Sequence, residues 1–184
     1  FLTRVEKLSG TQPDYTVEYK FDGLTVCLTY DDGHFVRATT RGNGVVGEDV
    51  TAQVLTIRSF PLKISYQGTL EVSGEAVIRL SVLEEYNKTA SEPLKNARNA
   101  VAGAIRNLDP KITRSRKPDI YFYDINYTST GENFSQTDAH EFLKKQGIKA
   151  LLLDADNTLC IFHTDYPVDG VKEWIEIMRK NNVD

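Results

Sequence analysis

A chain of 184 residues, 40% hydrophobic and 26% charged, has the makeup of a soluble globular protein with enough length to bury a core. Its formal net charge is −4, and no apolar run nears the roughly 18 residues that span a membrane, which excludes a helical membrane protein and predicts a cytoplasmic one. Cys27 and Cys160 stand far apart in no metal-ligand spacing, as expected of free thiols in a reducing compartment. The opening Phe1-Leu2-Thr3-Arg4 is neither a signal peptide nor a start methionine, so a piece of a longer chain is expected.

The first informative stretch is Val17-Glu18-Tyr19-Lys20-Phe21-Asp22-Gly23. Read as a β-strand, it puts Glu18, Lys20 and Asp22 on one face and Val17, Tyr19 and Phe21 on the other. A lysine between two carboxylates is a candidate nucleophile, because a deprotonated amine can attack phosphorus and form a phosphoramidate. Lysine ordinarily keeps its proton to a pKa near 10.4, so such a site needs burial or nearby cations to lower it. The plainer alternative is a solvated strand face of mixed charge.

Tyr15 to Phe21, Leu24 to Tyr30 and His34 to Thr40 read as strands, the last two joined by a turn at Asp31-Asp32-Gly33. The loop that follows, Gly42-Asn43-Gly44-Val45-Val46-Gly47, matches G-x-G-x-x-G. A dinucleotide-binding reading of it fails: hairpins precede the loop, and Gln67 stands about twenty residues on, where an acid is required. A kinase reading fails for want of a catalytic-loop or D-F-G sequence. What remains is a loop whose backbone amides, with Arg41 beside them, can approach a ribose or phosphate. A strand from Leu70 to Ile78 carries Glu71, Ser73 and Glu75 on one side and Val72, Gly74 and Ala76 on the other. Ser81-Val82-Leu83-Glu84 has the form of a capping box and predicts a helix from there to about Ala90.

A second helix is expected near Asn96, over Ala97 to Leu108, presenting Arg98 and Arg106 and stopped by Asp109-Pro110. Ile120 to Asn126 reads as a strand, about Asp138 to Gln146 as a helix closed by Gly147, and Ile148 to Leu153 as an apolar strand. Val171, Trp174, Ile175 and Met178 give the last helix an apolar stripe. Charge is unevenly spread. Residues 93–118 hold seven Lys or Arg against one acid, whereas residues 1–92 hold nine against thirteen and residues 119–184 six against twelve. A basic block in an acidic chain suits a phosphate-rich partner, with an ordinary basic patch as the alternative.

Four stretches together carry a family resemblance. Glu18 to Gly23 reads E-x-K-x-D-G, Thr40 to Thr51 reads T-R-G-x-G-x-x-G-E-D-V-T, Glu71 to Glu75 reads E-V-x-G-E, and Asn96 to Pro110 reads N-A-R-N-A-V-A-G-A-I-R-N-L-D-P. Lys20-Phe21-Asp22-Gly23 has the K-x-D-G form of the nucleotidyltransferases that include DNA ligases and mRNA capping enzymes. The set as a whole resembles the adenylation domain of bacterial NAD-dependent DNA ligase, from about residue 4 to residue 149.

The resemblance implies an enzyme that forms lysyl-AMP from NAD, releases nicotinamide mononucleotide, and passes AMP to the 5′-phosphate of a DNA nick that the 3′-hydroxyl then seals. It implies Lys20 as the nucleophile, Glu18 as the acid that reads the adenine amino group, and Asp22 in the same cofactor site. Arg41 and Glu75 are implied as ribose and nucleotide contacts, and Arg98 and Arg106 as holders of the adenylate or nick phosphate. NAD and magnesium follow as cofactors and nicked double-stranded DNA as partner, for a monomer working in DNA repair and replication. No metal-ligand residues are assigned. Phosphoryl transfer needs in-line positioning and charge compensation, which arginines and a metal ion supply. The basic block at 93–118 then has the DNA backbone as its counterpart.

Departures accompany the resemblance. Ser73 stands where the family usually has arginine before Gly-Glu. The family's next motif, D-G-x-x-x-K, is only imitated at Asp169-Gly170-Val171-Lys172 and is left unassigned. The later lysines, the region that grips nicotinamide mononucleotide and the regions that encircle DNA are not found, which predicts weak or no self-adenylation from NAD by these residues alone. Lys149 to Leu159 runs from an apolar strand into Asp154-Ala155-Asp156-Asn157-Thr158. That D-x-D-x-T form resembles the first motif of haloacid-dehalogenase-type phosphatases, in which the aspartates act as nucleophile and general acid/base. A phosphatase fragment and a catalytically silent nucleotide- or DNA-binding module are therefore the alternative functions.

The expected fold is α+β, with antiparallel sheets packed together under surrounding helices in an ATP-grasp-like nucleotidyltransferase core that is incomplete at both ends. Residues 1–149 make that core and residues 150–184 a separate strand-loop-helix segment. The pocket is expected between the sheets, with the Glu18 to Asp22 strand as its floor.

Overall fold

A computed structural model of the chain describes residues 2–12 and 20–148. The chain divides into two compact units, and these two stretches belong to different ones. In the first, α1 (Leu2–Ser9) ends at Gly10, which turns left-handed at φ 70° and gives its N–H to the Glu6 carbonyl at 2.9 Å.

The second is built on a four-stranded antiparallel sheet in the order β2-β1-β3-β4, made of β1 (Leu24–Asp31), β2 (His34–Thr40), β3 (Thr69–Val77) and β4 (Asp119–Thr128). β1 and β2 form the predicted hairpin. Asp32 and Gly33 both hold positive φ, 44° and 77°, which matches the twist of a tight hairpin turn. Side chains alternate across the sheet. Val26, Leu28 and Tyr30 of β1, Leu70, Val72 and Ala76 of β3, and Ile120 and Phe122 of β4 are buried. They join Val54, Val101, Ile105 and Leu143 from the helices in one core. Each large side chain so buried contributes roughly 1.5–3 kcal/mol relative to exposure.

Five helices complete this unit among the described residues: α2 (Thr51–Val54), α3 (Leu80–Thr89), α4 (Ala97–Ile105), α5 (Pro110–Arg116) and α6 (Gln136–Lys145). α4 starts as the sequence predicts, with the Asn96 carboxamide oxygen accepting the Asn99 N–H at 2.9 Å. It buries Ala100, Val101, Ala104 and Ile105 and leaves Arg98 outside.

Several expectations are corrected. α4 ends at Ile105, short of Leu108, and the Asp109-Pro110 pair read as a stop also opens α5. Asp109 accepts the Lys111 N–H at 3.0 Å, and Pro110 sits where a helix has no use for an N–H. Ser81 does not cap α3; that position falls to Arg79, whose side chain turns instead to Asp119 at 2.9 Å. Lys20 to Gly23 is irregular chain, since the ladder to β3 begins with Leu24 opposite Ala76. One sheet is present among the described residues, where packed sheets are expected. The strand expected over Tyr15 to Tyr19, residues 149–153 of the apolar strand, Asp154 to Thr158 and the last helix lie outside the described residues.

Candidate functional site

The candidate site is assembled on the polar face of the sheet and at the point where the chain enters β1. Gly23, the last residue of K-x-D-G, passes so close to β3 that a Cβ there would fall inside the Ala76 carbonyl and 2.9 Å from Val77 Cγ1. That approach carries chemistry. The Gly23 N–H donates to Glu75 Oε1 at 3.2 Å, and Thr25 Oγ1 donates to Glu75 Oε2 at 2.9 Å, so both carboxylate oxygens are tied to the chain that carries Lys20. Burial pushes the Glu75 carboxyl above its usual value of 4.5; the bonds from Thr25 and Gly23, and then the Arg98 charge, pull the other way.

Lys20 and Asp22 are exposed, while Phe21 turns to stack on Tyr121 with ring centroids 4.6 Å apart and planes 21° from parallel. Arg98 Nη1 reaches Asp22 Oδ1 at 2.9 Å. Both side chains are more than 60% exposed, so water screens the pair and it contributes only about 0–1 kcal/mol. The pair sets position more than stability. Glu18 lies outside the described residues.

A cavity of about 890 Å³ opens on the same face, lined among others by Thr25, Thr39, Arg41, Ser73, Tyr123 and Asn126. Arg41 is thus brought to the cavity wall. Glu75 adjoins it through Thr25. Ser73 is buried, and Asn126 Nδ2 donates to its hydroxyl at 2.7 Å, with Cys27 Sγ 3.3 Å from the same oxygen. Where the resemblance leads one to look for an arginine, this chain has a closed neutral cluster. Tyr123 is half-buried on β4, and burial raises its phenol pKa; the Thr25 hydroxyl opposes the shift, and the Glu75 charge adds to it.

The glycine loop differs from expectation. Asn43 Oδ1 accepts the Val45 and Val46 N–H groups at 3.0 and 2.8 Å, Gly44 donates to the Arg41 carbonyl at 3.0 Å, and Glu48 donates to Thr40 Oγ1 at 3.0 Å. Those amides are committed to the loop and to Thr40, while Gly44 to Gly47 line the cavity together with Arg41. Arg106 Nε pairs with Glu48 Oε2 at 3.4 Å. Of the basic block, Lys95, Arg98, Arg106, Lys111, Arg114 and Lys117 are exposed, and Arg116 turns inward to donate to the Ala100 carbonyl at 2.7 Å.

The structure therefore gathers Asp22, Glu75 and Arg98 around the start of β1, sets Arg41 in the adjoining cavity wall, and holds Arg106 at the loop. Sequence reasoning missed Thr25, Tyr123 and Asn126. The first had a local signal: Thr25, Cys27 and Thr29 recur at every second residue between apolar ones. Tyr123 and Asn126 had none, because only the β3–β4 ladder brings them to Ser73 and Glu75. Among the described residues no group of three or more His, Cys, Asp or Glu side chains gathers as a metal site.

The family described as NAD-dependent DNA ligase adenylation domain matches residues 1–179. The chain is 57% identical over 130 residues to a DNA ligase of Finegoldia magna, covering 71% of this chain and 20% of that protein. It is 51% identical over 137 residues to a DNA ligase of Alkaliphilus metalliredigens, covering 74% and 21%. It is 48% identical over 135 residues to a DNA ligase of Clostridium botulinum, covering 73% and 20%. The chain spans about a fifth of the length of these curated relatives. The family match runs through Asp154 to Thr158, and the phosphatase alternative is not favoured.

Proposed function

We propose, on the premise that this chain belongs to the NAD-dependent DNA ligase adenylation domain family, that Lys20 is the nucleophile that accepts AMP in a DNA-sealing enzyme. The observation that carries this reading is the double tie of Glu75 to Gly23 and Thr25, which fixes an acid of the nucleotide site against the segment bearing Lys20. When bound, NAD supplies an AMP group on a pyrophosphate linkage whose leaving group is nicotinamide mononucleotide. The roomy polar cavity, with a tyrosine ring and several hydroxyls in its wall, suits an adenosine. Tyr123 offers a flat face to the base, Glu75 and Arg41 take ribose and nucleotide contacts, and Glu18 reads the adenine amino group.

Lys20 Nζ, once deprotonated, forms the N–P bond as the bond from phosphorus to the mononucleotide oxygen breaks. Asp22 holds Arg98 at hand, and Arg98 and Arg106 balance charge on the phosphate. The same arginines, with the exposed lysines of the basic block, then meet the 5′-phosphate and backbone of a nicked duplex. Magnesium would supply charge neutralisation on the phosphates, and no cluster of three or more acidic, His or Cys side chains is gathered among the described residues to hold it apart from the nucleotide. The core is proposed to be the ATP-grasp-like nucleotidyltransferase type over residues 1–149, with residues 150–184 a further segment, in a cytoplasmic monomer that serves replication and repair. The test is nick sealing by a ligase of restored length carrying this segment. Lys20→Ala is expected to abolish sealing of a 5′-phosphorylated nick yet spare sealing of a pre-adenylated one; equal loss on both substrates counts against the assigned role.

A further inference from the structure

A separate cavity of about 570 Å³ opens where β3 leaves the sheet and β4 enters it, and it has the dimensions of a small-molecule site. Its wall carries two guanidinium groups. Arg79 Nε forms an ion pair with Asp119 Oδ2 at 2.9 Å without hydrogen-bonding to that buried oxygen, which leaves its two terminal nitrogens available. Arg58 is exposed and has no ion pair or hydrogen bond among the described residues. Between them Ser59 Oγ accepts the Ile120 N–H at 2.8 Å, which leaves the hydroxyl proton to give. With two cations against one carboxylate, the cavity holds a positive charge in excess.

The remaining wall is apolar and fixed. Phe60 packs edge-on against Phe35 at 5.2 Å, and Tyr121 is held by its stack on Phe21 at 4.6 Å. Guanidinium groups present forked donors that match phosphate oxygens, and an arginine with no partner beside a partnered one leaves donors for an incoming anion. An aromatic wall rewards a flat organic body.

We infer that this cavity is a second ligand site, apart from the one around Lys20, that takes a phosphate group carried on a flat apolar body. The phosphate lies against Arg58, Arg79 and Ser59, and the body against Phe60 and Tyr121. Because Tyr121 stacks on Phe21, the neighbour of Lys20, occupancy is transmitted to the motif segment by direct ring contact. The inference holds whether or not Lys20 is the nucleophile.

The test titrates the 184-residue chain with phenyl phosphate and with inorganic phosphate while the arginine Nε–H resonances are followed by NMR. Phenyl phosphate is expected to shift the Arg58 and Arg79 signals saturably and to bind more tightly than inorganic phosphate. Arg58→Gln, which disturbs no contact among the described residues, is expected to weaken binding by about tenfold or more. Asp119→Asn is expected to strengthen it by removing the competing carboxylate. Competition by a short nicked duplex would identify DNA as the phosphate source, and lack of competition a small phosphomonoester; either leaves the site standing. Unmoved Arg58 and Arg79 signals, or unchanged affinity in Arg58→Gln, overturn it.

Discussion

The two faces of the sheet come from the same four strands yet obey different rules. On the buried face Val26, Leu28, Tyr30, Val72 and Phe122 are wholly enclosed, and their energetic role is to exclude water. On the polar face Thr25 bonds to Glu75 and Asn126 to Ser73 across three strands, beside the half-buried Tyr123, so donors and acceptors are fixed there and not enclosed. Position along a strand decides which rule applies, since neighbours differ only in parity. A substitution on one face should therefore register as stability, and on the other as chemistry.

The largest separation of these effects is expected between Lys20 and Leu28. In a length-restored protein, Lys20→Ala should remove all AMP transfer from NAD while leaving the urea midpoint almost unchanged, because Lys20 is exposed. Leu28→Ala should cost about 2–5 kcal/mol in urea unfolding and leave AMP transfer per folded molecule intact. A Lys20→Ala protein that unfolds early would blur the distinction.

Gly23 sits on the boundary and should register on both scales. Gly23→Ala drives a methyl into the Ala76 carbonyl, so it should lower stability by about 1–3 kcal/mol and slow AMP transfer as Glu75 loses its tie. Denaturation curves together with adenylation rates check this, and an effect on stability alone would detach Gly23 from the site.

Smaller effects should be confined to the polar face. Thr25→Val removes a hydroxyl that lowers the Glu75 pKa, so the Glu75 titration followed by carboxyl NMR should move further up. The native pKa already lies above the usual 4.5, so the folded state holds this proton more tightly than the unfolded one. The resulting contribution to stability is complete below pH 4.5 and is lost as pH rises through the folded value. Glu75→Gln should flatten the stability profile across that window, and an unaltered slope would contradict the shift.

Much of the fold was legible in local patterns. The β1–β2 hairpin follows from apolar alternation around Asp-Asp-Gly, and α4 from an asparagine cap before alanines. Lys20 to Asp22 misled because alternating charges imitate a strand wherever they occur; the ladder begins only at Leu24, beside Gly23, whose close approach to β3 depends on residues more than fifty positions away. Asp109-Pro110 misled because the same pair stops one helix and starts another. Candidate residues announced by motifs could be named in advance, whereas Tyr123, Asn126 and the committed amides of the glycine loop emerge only from cross-strand register and from Asn43 folding back on its own loop.

The most direct test of the central claim is peptide mapping after incubation of the length-restored protein with NAD. One AMP is expected, attached through an acid-labile nitrogen–phosphorus bond to the peptide containing Lys20. An AMP found on any other residue, or an active ligase whose Lys20 peptide is never modified, would contradict it.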